Sequence, residues 1–204
     1  HYSIVDRDGN AVSVTTTING SYGSKVVVDG AGFFLNNEMD DFSAKPGVPN
    51  MYGLVGSEAN AIEPEKRMLS SMSPTIVEDP DGELFMVIGT PGGSTIITTV
   101  FQVILNVIDH GMNIQEAVAA PRVHHQWKPN NLWYERFGLA ADAVQNLEDR
   151  GWSVREGSAW GGTTWGQAEG ITVRAEPVAP GANAMERVLY GGADPRGNDT
   201  AVGY

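Results

Sequence analysis

One short strand and its sequel constrain this chain most. From Glu83 to Gly89, Leu84, Met86 and Ile88 alternate with Phe85 and Val87, so both faces are apolar. Such a strand has to be covered on both sides. Pro91-Gly92-Gly93-Ser94 breaks it, and a helix is predicted from about Thr95 to Asp109, ended by Gly111. Its apolar stretch, Ile96 to Ile108, is interrupted by Thr98, Thr99, Gln102 and Asn106, short of the about 18 apolar residues of a membrane span. A covered strand feeding a packed helix calls for a layered domain.

The remaining segments fit that requirement. Tyr2 to Asp6 and Ala11 to Ile18 flank Asp8-Gly9-Asn10, a hairpin signal, and the second run places Ser13, Thr15 and Thr17 on one hydroxyl-rich face. Lys25 to Val28 and Gly32 to Asn36 are further short strand candidates. Asn37 to Ser73 is rich in Pro, Gly, Asn and Ser and lacks periodicity, which in a compact domain marks a functional or mobile segment. Thr75 to Glu78 pairs with Glu83 to Gly89 around Pro80-Asp81-Gly82. Asn113 caps a helix through Ala120, which Pro121 stops, and Ala140 to Arg150 forms a third, burying Ala143, Val144 and Leu147. Trp152 to Arg155, Gly170 to Arg174 and Arg187 to Tyr190 return to strands. Strands, then helices, then strands predict an α+β fold, and 204 residues predict one domain.

Thirteen basic against 25 acidic residues give a net charge of −12. That argues against nucleic acid and against an anionic membrane surface as partners, and reads as solubility. The absence of cysteine removes disulfides, thiolate metal sites and a cysteine nucleophile. The opening His1-Tyr2-Ser3-Ile4-Val5 reads as a strand already under way, with neither an initiating Met nor a leader peptide, and so suggests a cleaved product.

Several motifs could carry chemistry. Gly92-Gly93 leaves a buried strand and opens a helix, where unhindered N–H groups can hold a carboxylate, a phosphate or a developing oxyanion; a plain tight turn is the alternative. Asn36-Asn37-Glu38-Met39-Asp40-Asp41 gathers two amides and three acids, suited to an ammonium group, a metal or simply a polar turn. Ser70-Ser71 before Met72-Ser73-Pro74 can hydrogen-bond a carboxylate or form a turn, and no G-x-S-x-G elbow marks a serine nucleophile. Adjacent His124 and His125 on a strand point to opposite faces and cannot easily share a metal; no cofactor is expected. Trp127, Trp133, Trp152, Trp160 and Trp165 read as packing, and Gly157 to Gly166 as a loop without assignable chemistry.

Taken in order, these runs resemble the small (β) subunit of the γ-glutamyltransferase (glutathione hydrolase) family of N-terminal-nucleophile hydrolases. The matching runs are Asn36 to Ser43, Lys45-Pro46-Gly47-Val48-Pro49-Asn50, Leu69 to Thr75, and Pro91 to Ser94. Ala120-Pro121-Arg122 with His124-His125-Gln126-Trp127, and Asp194-Pro195-Arg196 with Ala201-Val202-Gly203-Tyr204, continue the likeness over essentially residues 1–204. The resemblance implies an αββα sandwich completed by a large (α) subunit cut from the same precursor. It also implies a periplasmic or extracellular location. The family nucleophile is the new N-terminal Thr of the small chain, its α-amine serving as base. Bacterial relatives typically begin Thr-Thr-His-Tyr-Ser, so that Thr is expected two residues before His1, outside this chain.

The other roles implied by the resemblance fall on residues present. Thr17 resembles the threonine that hydrogen-bonds the nucleophile. Asn19, Glu38 and Asp41 resemble the binders of the substrate α-amino group, with Gln replacing Glu38 in some relatives. Ser70 and Ser71 resemble the α-carboxylate pair, usually completed by an Arg of the large chain. Gly92 and Gly93 resemble the oxyanion hole, and the segment Pro46 to Tyr52 the lid loop, with Tyr52 as gate. The expected activity is hydrolysis or transfer of γ-glutamyl groups from glutathione and related compounds. Two alternatives stand beside it: a glutaryl or cephalosporin acylase of the same family, and a non-catalytic binding relative lacking the nucleophile.

Overall fold

A computed structural model describes residues 1–158 and 165–203. Trp160, most of the Gly157 to Gly166 loop and Tyr204 lie outside the described residues. In chain order the elements are β1 (Tyr2–Val5), β2 (Ala11–Val14), β3 (Thr75–Glu78), β4 (Leu84–Gly89), α1 (Thr95–Ile108), α2 (Ile114–Ala119), β5 (Val123–His124), β6 (Leu132–Tyr134), α3 (Ala141–Asp149), β7 (Val154–Glu156), β8 (Glu169–Pro177) and β9 (Met185–Ala193). Short 3-10 turns occupy Glu38–Asp41 and Glu58–Asn60. Three sheets result: a β1-β2 ribbon, a four-stranded antiparallel sheet β3-β4-β8-β9, and a small sheet β5-β6-β7 whose last pair is parallel.

Strand β4 is covered on both sides, as its sequence requires. Met86 and Ile88 pack with Val100, Val103 and Val107 of α1 and with Ile114, Ala117 and Val118 of α2. Val87, equally buried, points the other way, toward the side where the ribbon packs on β4 and β8. The ribbon turns hydroxyls inward: Ser3 Oγ donates to the Glu169 carbonyl at 3.3 Å and Ser13 Oγ to that of Ile88 at 3.1 Å. Its outer face is apolar, with Tyr2, Ile4 and Val12 exposed at 48%, 52% and 46%. Helix α1 shows a similar division, burying Ile96, Thr99, Val100, Val103 and Val107 at helical spacing while Ile97, Phe101 and Ile108 stay exposed.

Local chemistry sets the helix boundaries. Asn113 Oδ1 accepts from Glu116 N–H at 2.9 Å, and Glu116 Oε2 accepts from Asn113 N–H at 3.0 Å, closing a capping box at the start of α2. Where α2 meets the sheet, a Cβ on Gly170 would lie 2.8 Å from Ile88 Cδ1 and 2.9 Å from Ile114 Cδ1, so the missing side chain admits Ile114. Several expectations need correction. β2 ends at Val14, so Thr15 to Thr17 leave the ladder. Lys25 to Val28 and Gly32 to Asn36 form only a single bridge, Val27 to Phe34, with Val26, Val27 and Phe33 exposed; their β propensity meets no packing surface. Ala143, Val144 and Leu147 of α3 are half-buried rather than core. Trp165 is buried, but Trp127 stands 66% exposed beneath the Lys128 ammonium.

A buried ion network joins the two ends of this architecture. Arg122, 2% exposed, donates through Nη2 to Asp194 Oδ2 at 2.5 Å and to the Val118 carbonyl at 2.8 Å. Its Nη1 donates to the Trp165 carbonyl at 2.9 Å. Arg196 bridges Asp194 and Glu135. Burial disfavours the Asp194 charge, but Arg122 and the backbone N–H groups of Ala168 and Arg196 outweigh it and hold the carboxyl below its ordinary value of 3.8. The stabilisation is therefore fully present above that value and lost as pH falls through the lowered one. Arg122→Met, which takes from Asp194 the more buried of its two cations and leaves only Arg196, is expected to cost about 3 kcal/mol at neutral pH. Chemical denaturation of the purified protein should show the gap to wild type closing below about pH 4.

Candidate active site

The turn between β4 and α1 is built for glycine. Gly92 has φ 136° and Gly93 φ 53°. A Cβ on Gly92 would lie 2.8 Å from Thr95 Oγ1 and 2.9 Å from the Gly166 Cα. Only a residue without a side chain fits both the conformation and the contact. Thr95 donates to the Gly92 carbonyl through N–H (3.1 Å) and Oγ1 (2.8 Å), and Ile96 N–H donates to that of Gly93 at 3.2 Å. The carbonyls are thus engaged by the first turn of α1, and the turn sits at the helix's positive end.

Both glycines line a cavity of about 370 Å³. Thr15, Thr16, Thr17, Asn19 and Ser21 form one wall, beyond the end of β2; Asp41, Tyr52 and Leu54 form another, and Ser70, Ser71 and Met72 a third. Of the residues singled out from sequence, Thr17, Asn19, Asp41, Tyr52, Ser70, Ser71, Gly92 and Gly93 all meet here. Glu38 does not line the cavity. It stands one 3-10 turn before Asp41 and acts on it through charge. Thr15, Thr16, Ser21 and Met72 were not predicted as wall residues. The hydroxyl run after Val14 is the signal for Thr15 and Thr16, hidden when β2 is extended to Ile18; Ser21 and Met72 carry none.

Asn19 and Tyr52 are held by their neighbours. Asn19 takes φ 71°, its N–H bonded to Thr17 Oγ1 at 2.8 Å and its Nδ2 to the Asn37 carbonyl at 3.1 Å. That leaves Oδ1, an acceptor, as the side chain's other polar atom. Burial, then the charges of Glu38 and Asp40, push the Asp41 carboxyl above its ordinary value. Burial and the charges of Asp41 and Asp40 likewise raise Tyr52, which stays a phenol and donates to the Asn19 carbonyl at 2.9 Å. The loop carrying Tyr52 is a tight turn in which Asn50 Oδ1 accepts from Tyr52 N–H and Leu54 N–H, both at 3.0 Å. Met51 N–H fastens it to Asp40 Oδ2 at 3.2 Å.

Only His124 of the histidine pair lies in a strand, since β5 ends there. His124 is 1% exposed, whereas His125 stacks edge-on to Trp152 with ring centroids 5.1 Å apart. A carboxylate beside amide and hydroxyl acceptors, a pair of serines opposite and a glycine turn at a helix start can together hold a zwitterion and stabilise an oxyanion.

Comparison with known proteins shows the family. The gamma-glutamyltranspeptidase family model matches residues 1–204. The glutathione hydrolase proenzyme of Escherichia coli (strain K12) is 50% identical over 205 residues, covering 100% of this chain and 32% of that protein. The glutathione hydrolase proenzyme of Pseudomonas sp. (strain A14) is 51% identical over 209 residues, covering 100% and 34%. The chain thus spans about a third of the length of the curated relatives it matches. The crystal structure of a threonine-to-alanine mutant of Helicobacter pylori gamma-glutamyltranspeptidase superposes with a TM-score of 0.87 at 55% identity, covering 97% of this chain and 99% of that one. Sequence and fold agree: the chain belongs to the gamma-glutamyltranspeptidase family, with its N-terminal-nucleophile hydrolase fold.

Proposed function

We propose that residues 1–204 are the small-subunit part of a single domain completed by a large subunit from the same autoproteolysed precursor. The complete protein then hydrolyses or transfers the γ-glutamyl group of glutathione and related γ-glutamyl amides. The register of the β1-β2 ribbon carries this reading. Tyr2 faces Val14 and Val5 faces Ala11. One further step brings His1 opposite Thr15, and His1 Nδ1 indeed lies 2.7 Å from Thr15 Oγ1. The ladder itself ends at Val14, but Thr15 to Thr17 run on past His1 along the cavity wall, so the residue two positions before His1 would enter the cavity beside that run.

A threonine at that position would have its own α-amine as base and the Thr17 hydroxyl beside it. Its Oγ attacks the γ-carbonyl, the glycine turn takes the developing oxyanion, and the amine departs with the proton. The resulting γ-glutamyl–Thr ester is resolved by water or by an acceptor amine. Asp41, with the Asn19 amide oxygen, meets the substrate α-ammonium, and Glu38 reinforces the negative field from behind. Ser70 and Ser71 receive the α-carboxylate. The raised pKa of Asp41 supports this, because a half-buried carboxylate among like charges is stabilised by a cation brought beside it.

The exposed apolar faces of the ribbon and of α1 support a covering layer from the large subunit. No helix among the described residues is long and apolar enough to cross a membrane. The resemblance supports a periplasmic or extracellular site of action.

In the complete protein, Asp41→Asn is expected to lower kcat/KM for γ-glutamyl-p-nitroanilide by about 100-fold or more, the scale of an ammonium ion losing a partly desolvated carboxylate. A glutaryl amide lacks that ammonium and should lose much less. An equal loss on both substrates removes the assignment of Asp41 and favours an acylase. Only ionised Asp41 holds an ammonium, so wild-type kcat/KM should fall as pH drops through its raised pKa. That fall lies at higher pH than an ordinary carboxylate gives and should vanish in Asp41→Asn. Replacing the threonine expected two residues before His1 with alanine should leave the precursor uncut in denaturing electrophoresis. Normal cleavage and activity in that variant, or another residue at that position, would remove the proposed nucleophile.

A further inference from the structure

A buried histidine outside the cavity wall reaches the loop that carries Tyr52. His124 places Nδ1 2.9 Å from Thr98 Oγ1, on the first turn of α1, and Nε2 2.9 Å from Gln126 Oε1. The Gln126 amide Nε2 donates to the Lys128 carbonyl at 3.2 Å and to the Tyr52 carbonyl at 3.4 Å. Two carbonyl acceptors fix which way the amide faces: NH₂ toward Tyr52 and Lys128, oxygen toward His124. The proton between the ring and Gln126 therefore sits on His124 Nε2. Burial, together with the nearby His125, lowers the His124 pKa against the opposing effect of Gln126, so the ring is neutral and Nδ1 is an acceptor. Thr98 Oγ1 lies beside both Nδ1 and the Thr95 carbonyl (3.1 Å), so its single proton is shared between them.

The base of this chain of bonds is firm. Gln102 of α1 accepts from Val123 N–H at 2.9 Å and donates to the Val123 carbonyl at 2.8 Å, clamping β5 to the helix beside His124. Its far end rests on loop backbone, since a Cβ on Gly53 (φ 74°) would be 3.6 Å from Gln126 Nε2. Tyr52 is therefore anchored twice, through its hydroxyl to Asn19 and through its carbonyl to Gln126.

We propose that Gln126, oriented by His124, is a positioning residue that latches the Tyr52 loop to the helix that begins at Gly92-Gly93 and so holds a bound donor in the cavity. The donor part rests on the reading of the cavity as a γ-glutamyl site. Releasing the carbonyl anchor loosens the loop, which Asn19 and Asp40 still hold, without removing a wall residue, so it weakens donor retention more than it slows chemistry.

The test compares the complete protein with Gln126→Ala and with Gln126→Met, which keeps the volume. Hydrogen–deuterium exchange of the amides in residues 50–54 is expected to rise about fivefold, the factor carried by one ordinary hydrogen bond, with α1 unchanged. KM for a γ-glutamyl anilide should rise by about the same factor while kcat stays within about twofold. His124→Phe should produce the same local change in exchange; if it does not fold, the two Gln126 variants decide alone. Unchanged exchange in residues 50–54 overturns the latch. Faster exchange with unchanged KM overturns its role in donor retention. A wild-type complete protein inactive on γ-glutamyl amides would remove the reading of the cavity, while the exchange comparison would still decide the latch.

Discussion

The carboxylate of Asp194, at the end of the β8-β9 ladder, ties that ladder to parts of the chain outside it. It accepts from Arg122, from Ala168 N–H at 2.7 Å, and from the backbone and side chain of Arg196, both at 2.9 Å. Through Arg122 it reaches the end of α2 and the carbonyl of Trp165; through Arg196 it reaches Glu135 just beyond β6. Gly166, next to Trp165, packs on the glycine turn: a Cβ there would lie 2.6 Å from the Pro91 carbonyl. The network thus sits directly behind Gly92. A buried ion pair of this kind is a poor source of net stability relative to apolar packing, yet breaking it is costly. Its structural effect is to fix where the segment behind the turn lies, and so how closely Gly92 can approach it.

Local chemistry made much of this legible in the sequence. The capping box at Asn113, the alternation in β4 and the Pro91-to-Ser94 break are each decided within a few residues, and each stands where the pattern puts it. The Arg122–Asp194 pair is different. Its partners are 72 positions apart, and although Ala120-Pro121-Arg122 and Asp194-Pro195-Arg196 both carry the family likeness, nothing local says that they meet. The same limit explains Lys25 to Val28, whose branched side chains favour a strand that no neighbouring surface completes.

The cavity shows the limit from another side. Its residues come from five separated stretches, and taken singly each has a commonplace explanation as a turn, a cap or a polar loop. What the sequence conveyed was their order and spacing, matched to a family. What it did not convey was the difference between Asp41 and Glu38. Both lie in one 3-10 turn, but Asp41 faces the cavity, whereas Glu38 sits one turn back, where its charge reaches Asp41 without its side chain forming wall.

The ribbon at the start of the chain inverts the usual pattern of a half-buried hairpin. Its inward positions carry Ser3 and Ser13 beside the buried Val5, and its outward positions Tyr2, Ile4 and Val12. A two-stranded ribbon is marginal alone, and one that turns apolar side chains to water is more so. The inward hydroxyls are tolerated because each has a carbonyl of the larger sheet as acceptor, which pins the ribbon's register against β4 and β8. Pinning matters here more than burial, because that register sets His1 beside Thr15, at the edge of the cavity. A purely apolar inner face could slide with little penalty, whereas two directed hydrogen bonds and the His1 ring against Gly89 cannot.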